Sequence, residues 1–388
     1  MAEKVAGRGL ATANKYYQDY GGRARELKKQ GQRIMGYICA LVPVEIISAA
    51  GFVPFRIKGD VNEPITKADS EMETIVCPLV RSCFDMSLKG KYEFLDGIVI
   101  PHACDSICRT YDVWKYTLNL PYSHLINMPH ATGDSSLSFY RAELDTFKRS
   151  LSRFAGREIS DESLTQTISL YNQNRAKVRE LYELRKSSPP LISGAEVARL
   201  LVGVVGIPVE ESTRLIDDVI EEVKQRGKVL PTKSARIMVV GAQIDNATFI
   251  DLIEDSGAWV VVDDLCPGAR EFFSDVAVTP DPIDGIAERY LRGIYCGRTF
   301  REKRESYYEY LGQRFGHIGR FTKEFKVDGV VLYIYKYCDP FGFEVPAMKS
   351  YIESNGTPVL YLEDEYSMST IGRLRTRIQA FLELLGSK

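Results

Sequence analysis

The feature that most restricts how this chain can fold is that one sequence pattern occurs twice. Arg33-Ile34-Met35, a helix-length segment and Ala50-Gly51 lead into a new apolar run, Phe52 to Ile57. Arg236-Ile237-Met238, a helix-length segment and Ser256-Gly257 do the same two hundred residues later. A second echo follows in the same order: Gly97-Ile98-Val99-Ile100-Pro101-His102-Ala103-Cys104-Asp105 matches Gly329-Val330-Val331-Leu332-Tyr333-Ile334-Tyr335-Lys336-Tyr337-Cys338-Asp339. Each echo is followed by a helix-length stretch and one more strand, His124 to Met128 and Pro358 to Leu362. Short apolar runs separated by helix-length segments imply βαβ units on a parallel sheet.

Between the repeats the strand signal disappears. Leu144, Phe147, Leu151 and Phe154, then Leu164, Ile168, Tyr171, Val178 and Leu181, recur with the 3.6-residue period of helices that bury one stripe. Ser187-Ser188-Pro189-Pro190 breaks this run, and Ser193 and Pro208 open two further helices that end near Gly227. One more amphipathic, basic helical stretch, roughly Asn14 to Gln32, precedes the first strand. The expected architecture is α/β: two similar doubly wound, flavodoxin-like parallel-sheet halves, residues 1–133 and 233–388, around a helical insert or lid at 134–232.

The balance of 50 Lys and Arg against 52 Asp and Glu, a net charge of −2, gives no footprint for nucleic acid or an anionic membrane. No stretch of about 18 uncharged apolar residues is present, and the N-terminal residues have no secretory h-region, so a cytoplasmic protein is expected. Eight cysteines are too dilute for a disulfide-stapled secreted scaffold. Reduced thiols are therefore expected.

In open parallel sheets, ligands bind at the carboxyl ends of strands. Both Cys-Asp pairs of the repeat fall there, so Cys104 and Cys338 can approach from opposite walls of a cleft. Cys77 is the best third thiol, because Cys77-Pro78-Leu79-Val80 reads as a loop opening a helix, and a helix N-terminus stabilises a thiolate. Cys83 and Cys108 are near neighbours that could exchange roles with these. Cys39, Cys83, Cys108, Cys266 and Cys296 are all expected to be core filling, since a free cysteine behaves as a small hydrophobe. His102, two residues before Cys104, is a candidate proton relay, and Asp105 is a second candidate catalytic residue. The run Arg298-Thr299-Phe300-Arg301-Glu302-Lys303-Arg304 suits either phosphates or a solvated face. No Gly-x-Gly-x-x-Gly after a strand, Walker loop, His-Glu-x-x-His or Gly-x-Ser-x-Gly occurs.

Several of these segments resemble one family. Gly36-Tyr37-Ile38-Cys39, Val42-Pro43-Val44-Glu45-Ile46-Ile47, Ala49-Ala50-Gly51, Cys77-Pro78-Leu79-Val80-Arg81-Ser82, Cys104-Asp105 with Arg109 and Tyr111, Tyr337-Cys338-Asp339 and Arg375 to Glu383 are similar to the motifs of 2-hydroxyacyl-CoA dehydratases and benzoyl-CoA reductases. The resemblance runs in order from about residue 30 to the end. It implies a subunit of an oxygen-sensitive heteromer carrying a [4Fe–4S] cluster on Cys77, Cys104 and Cys338, with one iron left open. It also implies a homologous second cluster-bearing subunit, an ATP-hydrolysing iron–sulfur activator fed by ferredoxin, and an acyl-CoA substrate. The expected activity is two-electron dearomatisation of benzoyl-CoA to a cyclohexadiene carboxyl-CoA, on length and on the region Tyr122 to Tyr140. The alternatives are loss of water from a 2-hydroxyacyl-CoA through a ketyl radical, or a non-catalytic acyl-CoA-binding assembly subunit. A further member class carries a double-cubane cluster on a homodimer and uses additional cysteines; this chain has spare thiols but does not match the full set of positions, so that class ranks third.

Overall fold

The computed structural model describes residues 8–227, 230–302 and 306–386; Lys303 and Arg304 of the basic run lie outside them. The chain opens with α1 (Gly9–Gln18) and α2 (Gly22–Lys29). The amphipathic stretch expected from Asn14 to Gln32 is thus two helices, because Gly21 turns the chain at φ 87°, a conformation that costs glycine little.

The first half comprises β1 (Arg33–Tyr37), α3 (Val44–Ala49), β2 (Phe52–Arg56), α4 (Pro78–Leu88), β3 (Gly97–Pro101), α5 (Asp105–Thr117) and β4 (Ser123–Ile126). The helical segment follows as α6 (Asp134–Ala155), α7 (Asp161–Glu183), α8 (Gly194–Val204) and α9 (Val209–Gln225). Ser193 caps α8 in a reciprocal capping box with Glu196. The second half comprises β5 (Ala235–Gln243), α10 (Thr248–Asp255), β6 (Ala258–Cys266), α11 (Ala269–Phe272), α12 (Pro282–Glu288), α13 (Tyr307–Glu324), β7 (Gly329–Tyr335), α14 (Asp339–Ser354), β8 (Val359–Asp364) and α15 (Ile371–Gly386).

All pairings between these strands are parallel, and the repeat is topological as well as sequential. The sheet orders are β2-β1-β3-β4 and β6-β5-β7-β8, the flavodoxin-like order in both halves. Strand β6 is buried along its whole length, as parallel strands covered on both faces are. Its two carboxylates, Asp263 and Asp264, are each paired: Tyr182 Oη donates to Asp263 at 2.6 Å, and Arg270 holds Asp264 at 2.9 Å.

The two sheets share one core, in which Ile34, Phe55 and Ile98 belong to the same apolar cluster as Ile237, Val239 and Leu362. Helices cover the other faces. Leu144, Phe147 and Leu151 of α6 cluster with Met35, Val99 and Ile126, while Val178 and Leu181 of α7 and Val219 of α9 cluster with Met238, Val240 and Val261. A buried ionic knot fastens the layers. Glu45 of α3, wholly buried, accepts from Arg175 of α7 and, at 2.8 Å, from the Tyr290 hydroxyl in the turn that follows α12.

Candidate functional site

The carboxyl ends of β1, β3, β5, β6 and β7 and the start of α4 line a partly open cavity of about 90 Å³. Seven of the eight cysteines line it: Cys39, Cys77, Cys83, Cys104, Cys266, Cys296 and Cys338. All eight are free thiols.

Two trios are distinguishable by where the thiols sit, one at helix starts and one on β6 and in the segments that follow β1 and Arg289–Gly293. In the first, Cys77, Cys104 and Cys338 each occupy the N-cap of a helix, α4, α5 and α14 respectively. Backbone N–H groups of Leu79 and Val80 reach Cys77, that of Ile107 reaches Cys104, and that of Phe341 reaches Cys338. Burial pushes all three thiols up, Cys104 to about 12. Cys77 adds to the shift of the other two, and Cys104 adds to that of Cys338. These N–H groups and helix N-termini oppose that shift by favouring the thiolate.

In the second trio burial again dominates, raising Cys39 strongly and Cys266 to about 11. Cys266 and Cys296 add to the shift of Cys39, and Cys296 adds to that of Cys266. Cys296 also acts on Cys104 and Cys338 and so links the trios. Two residues here hold left-handed backbone, Cys39 at φ 78° and Tyr337, beside Cys338, at φ 61°. Side chains other than glycine seldom do so outside functional sites.

The positive charges on the cavity wall are Arg270 and Arg298. Arg298 is buried, donating from Nε to the Ala103 carbonyl at 3.1 Å and from Nη2 to the Met128 carbonyl at 3.0 Å. The basic run therefore does not begin as a solvated face. Its first guanidinium fixes the loop that carries Cys104, and Arg301 donates to the Arg292 carbonyl at 2.7 Å.

The structure brings Cys77, Cys104 and Cys338 together on one cavity and leaves the two other candidates outside its lining. His102 is only partly buried and contacts Asn127 Oδ1 at 3.3 Å, with its ring edge-on to His130. Asp105 points to solvent at the first turn of α5, with a side chain 70% exposed and paired at 3.4 Å with Arg109. Cys83 lines the cavity from α4 but is buried, its sulfur 4.0 Å from the Ile57 carbonyl. Cys108 is half-buried one turn beyond Cys104, outside the lining. Of the five cysteines expected to be core filling, Cys39, Cys266 and Cys296 line the cavity as the second trio. Two of them carried a usable signal: Cys266 ends β6 and Cys39 lies two residues past β1, the strand-end rule already applied to Cys104 and Cys338.

Among the described residues no three His, Cys, Asp or Glu side chains converge on one metal ion. Also among the described residues, no helix is long and apolar enough to cross a membrane.

Fold and site together define a bilobed, doubly wound α/β chain with a thiol-lined cavity between its sheets. The chain belongs to the 2-hydroxyglutaryl-CoA dehydratase, D-component family, whose model matches residues 39–385. It is similar to YjiM of Escherichia coli K12, a putative dehydratase component, 29% identical over 371 residues and 93% of each chain. It is also similar to a benzoyl-CoA reductase component of Thauera aromatica, 26% identical over 93% of this chain and 95% of that one. A third relative is the (R)-phenyllactyl-CoA dehydratase beta subunit of Clostridium sporogenes, 23% identical over 97% of this chain and all of that one.

Proposed function

We propose that this chain is the cluster-bearing component of a low-potential iron–sulfur enzyme, fed with electrons by an ATP-hydrolysing iron–sulfur partner. The observation that carries this is the pair of thiol trios on one buried cavity. Thiolates are the soft ligands that select iron–sulfur groups, and burial keeps these thiols protonated until a cation replaces the protons. The donor set therefore fits such a group. Cys77, Cys104 and Cys338 would hold a [4Fe–4S] unit, which when bound supplies single electrons at low potential. The protein's own part is to present N–H groups to the sulfurs, to place Arg270 and Arg298 against the negative charge, and to keep the site enclosed by apolar walls such as Leu79, Val80 and Phe341.

Two finer readings differ in how many thiols bind iron. Three ligands and one cluster correspond to the benzoyl-CoA reductase reading, with a homologous second subunit and an acyl-CoA substrate. Six ligands correspond to the double-cubane class, with a second copy of this chain as partner. The second trio favours the double-cubane reading, because Cys39, Cys266 and Cys296 line the same cavity as Cys77, Cys104 and Cys338.

The test is anaerobic incubation of the holoprotein with ATP, a low-potential reductant and either benzoyl-CoA or a 2-hydroxyacyl-CoA. A cyclic diene with stoichiometric ATP use supports the reductase, and an enoyl-CoA with catalytic ATP supports the dehydratase. Iron bound to both trios with neither product formed supports the double-cubane reading. Protein that acquires no iron under any of these conditions overturns all three.

A further inference from the structure

Arg270 touches the second trio directly and reaches the first only through Phe341. Its Nη1 donates to Cys266 Sγ at 3.7 Å. Its guanidinium also lies over the Phe341 ring, 4.8 Å from the centroid, and the Phe341 N–H is the group that reaches Cys338. The side chain is 1% exposed and held from behind: Nη2 donates to the Asp264 carbonyl at 2.6 Å and to Asp264 Oδ2 at 2.9 Å. That carboxylate oxygen is in turn 3.2 Å from His317 Nε2, and the His317 ring is stacked on Tyr295 at 4.5 Å. A chain of fixed contacts thus runs from α13 through β6 to a sulfur on the cavity wall.

We infer that Arg270 is a positioning residue that fixes the spacing of the two trios and lowers the negative charge on the Cys266 sulfur. The inference rests on the reading that Cys266 is an iron ligand. A guanidinium donating to a ligand sulfur withdraws electron density, so the oxidised and reduced forms are stabilised unequally and reduction becomes easier. Lysine cannot replace it, because a single ammonium does not reach Cys266 and both Asp264 acceptors in the planar fork that Arg270 uses.

The experiment uses anaerobically purified holoprotein and compares wild type with R270K, with the double variant R270M/D264N, which leaves no buried carboxylate alone, and with H317Q. Three quantities are read: iron per chain, the midpoint potential from a redox titration followed by electron paramagnetic resonance, and the line shape of that signal. For R270K and the double variant we expect a midpoint shifted to more negative potential, a changed line shape and iron retained on the first trio. A smaller shift in the same direction is expected for H317Q. Full iron with an unmoved midpoint and unchanged line shape in R270K and the double variant overturns the role of Arg270. C266S separates the two levels: if it keeps all its iron, the six-thiol reading fails whatever Arg270 does.

Discussion

Glu45 offers the sharpest test of how the two halves are held around the cavity. Burial pushes its carboxyl up, but the Arg175 and Arg289 guanidiniums outweigh this and leave it below the usual carboxylate range. In E45Q the buried Arg175 loses its charge partner, keeping a hydrogen bond to Asn172 Oδ1 at 2.8 Å and its place over the Tyr171 ring. Removing one member of a buried pair costs roughly 3–5 kcal/mol, against a typical total stability of about 5–15 kcal/mol. Because Gln still accepts from Tyr290, the low end of about 3 kcal/mol is expected. R175M should cost a similar amount, and the double variant should be less damaging than the sum by about 2–3 kcal/mol, since the Arg175 charge is then no longer left behind without Glu45. The assay is urea unfolding of the metal-free chain by tryptophan fluorescence. Its two tryptophans report separately, Trp114 from α5 in the first half and Trp259 from β6 in the second. Both signals should shift together, because the knot joins α3, α7 and the turn after α12. Costs that add within about 0.5 kcal/mol would refute the coupling, as would a shift confined to one tryptophan.

Further outcomes follow from other sites. C83S and C108S should lower stability modestly and leave iron per chain unchanged, as measured by colorimetric iron analysis; loss of iron from either would move it into the ligand set. In G241A the new Cβ would meet the Tyr333 carbonyl oxygen of the neighbouring strand at 2.2 Å, so a loss of roughly 1–3 kcal/mol or more is expected in urea. Burial raises the Glu254 carboxyl from 4.5 to about 7, against N–H groups of Gly194, Ala195 and Val260. Between those pH values the folded chain keeps a proton that the unfolded chain has lost. Stability should therefore fall by roughly 3 kcal/mol as pH rises through that window, and E254Q should flatten the slope.

The repeat was legible because parallel strands covered on both faces read as apolar runs bounded by Gly and Pro. Gly97 to Pro101 and Gly329 to Tyr335 show this plainly. Ser193 and Pro208 announced α8 and α9 through their capping chemistry. The break at Gly21 was not legible, since a single glycine inside an amphipathic pattern is also tolerated in a continuous helix. Cys104 and Cys338 were found because the repeat places each just beyond the end of a strand, and Cys77 because it precedes a recognisable helix start. Cys296 gave no local signal: it reaches the cavity only because the turn at Arg289–Gly293, anchored through Tyr290 to Glu45, aims the following loop inward. Asp105 drew a catalytic reading because it stands beside a strand-end cysteine, but a carboxylate there also serves the N-terminus of its own helix, where it faces solvent.

The most direct measurement is iron and acid-labile sulfide per chain in protein purified without oxygen after co-expression with the proposed ATP-hydrolysing partner. If both trios bind, about eight irons per chain are expected, falling to about half in C39S, C266S or C296S. Iron content that none of these three substitutions changes, or a chain without iron whose cysteines all react with alkylating agent, would contradict it.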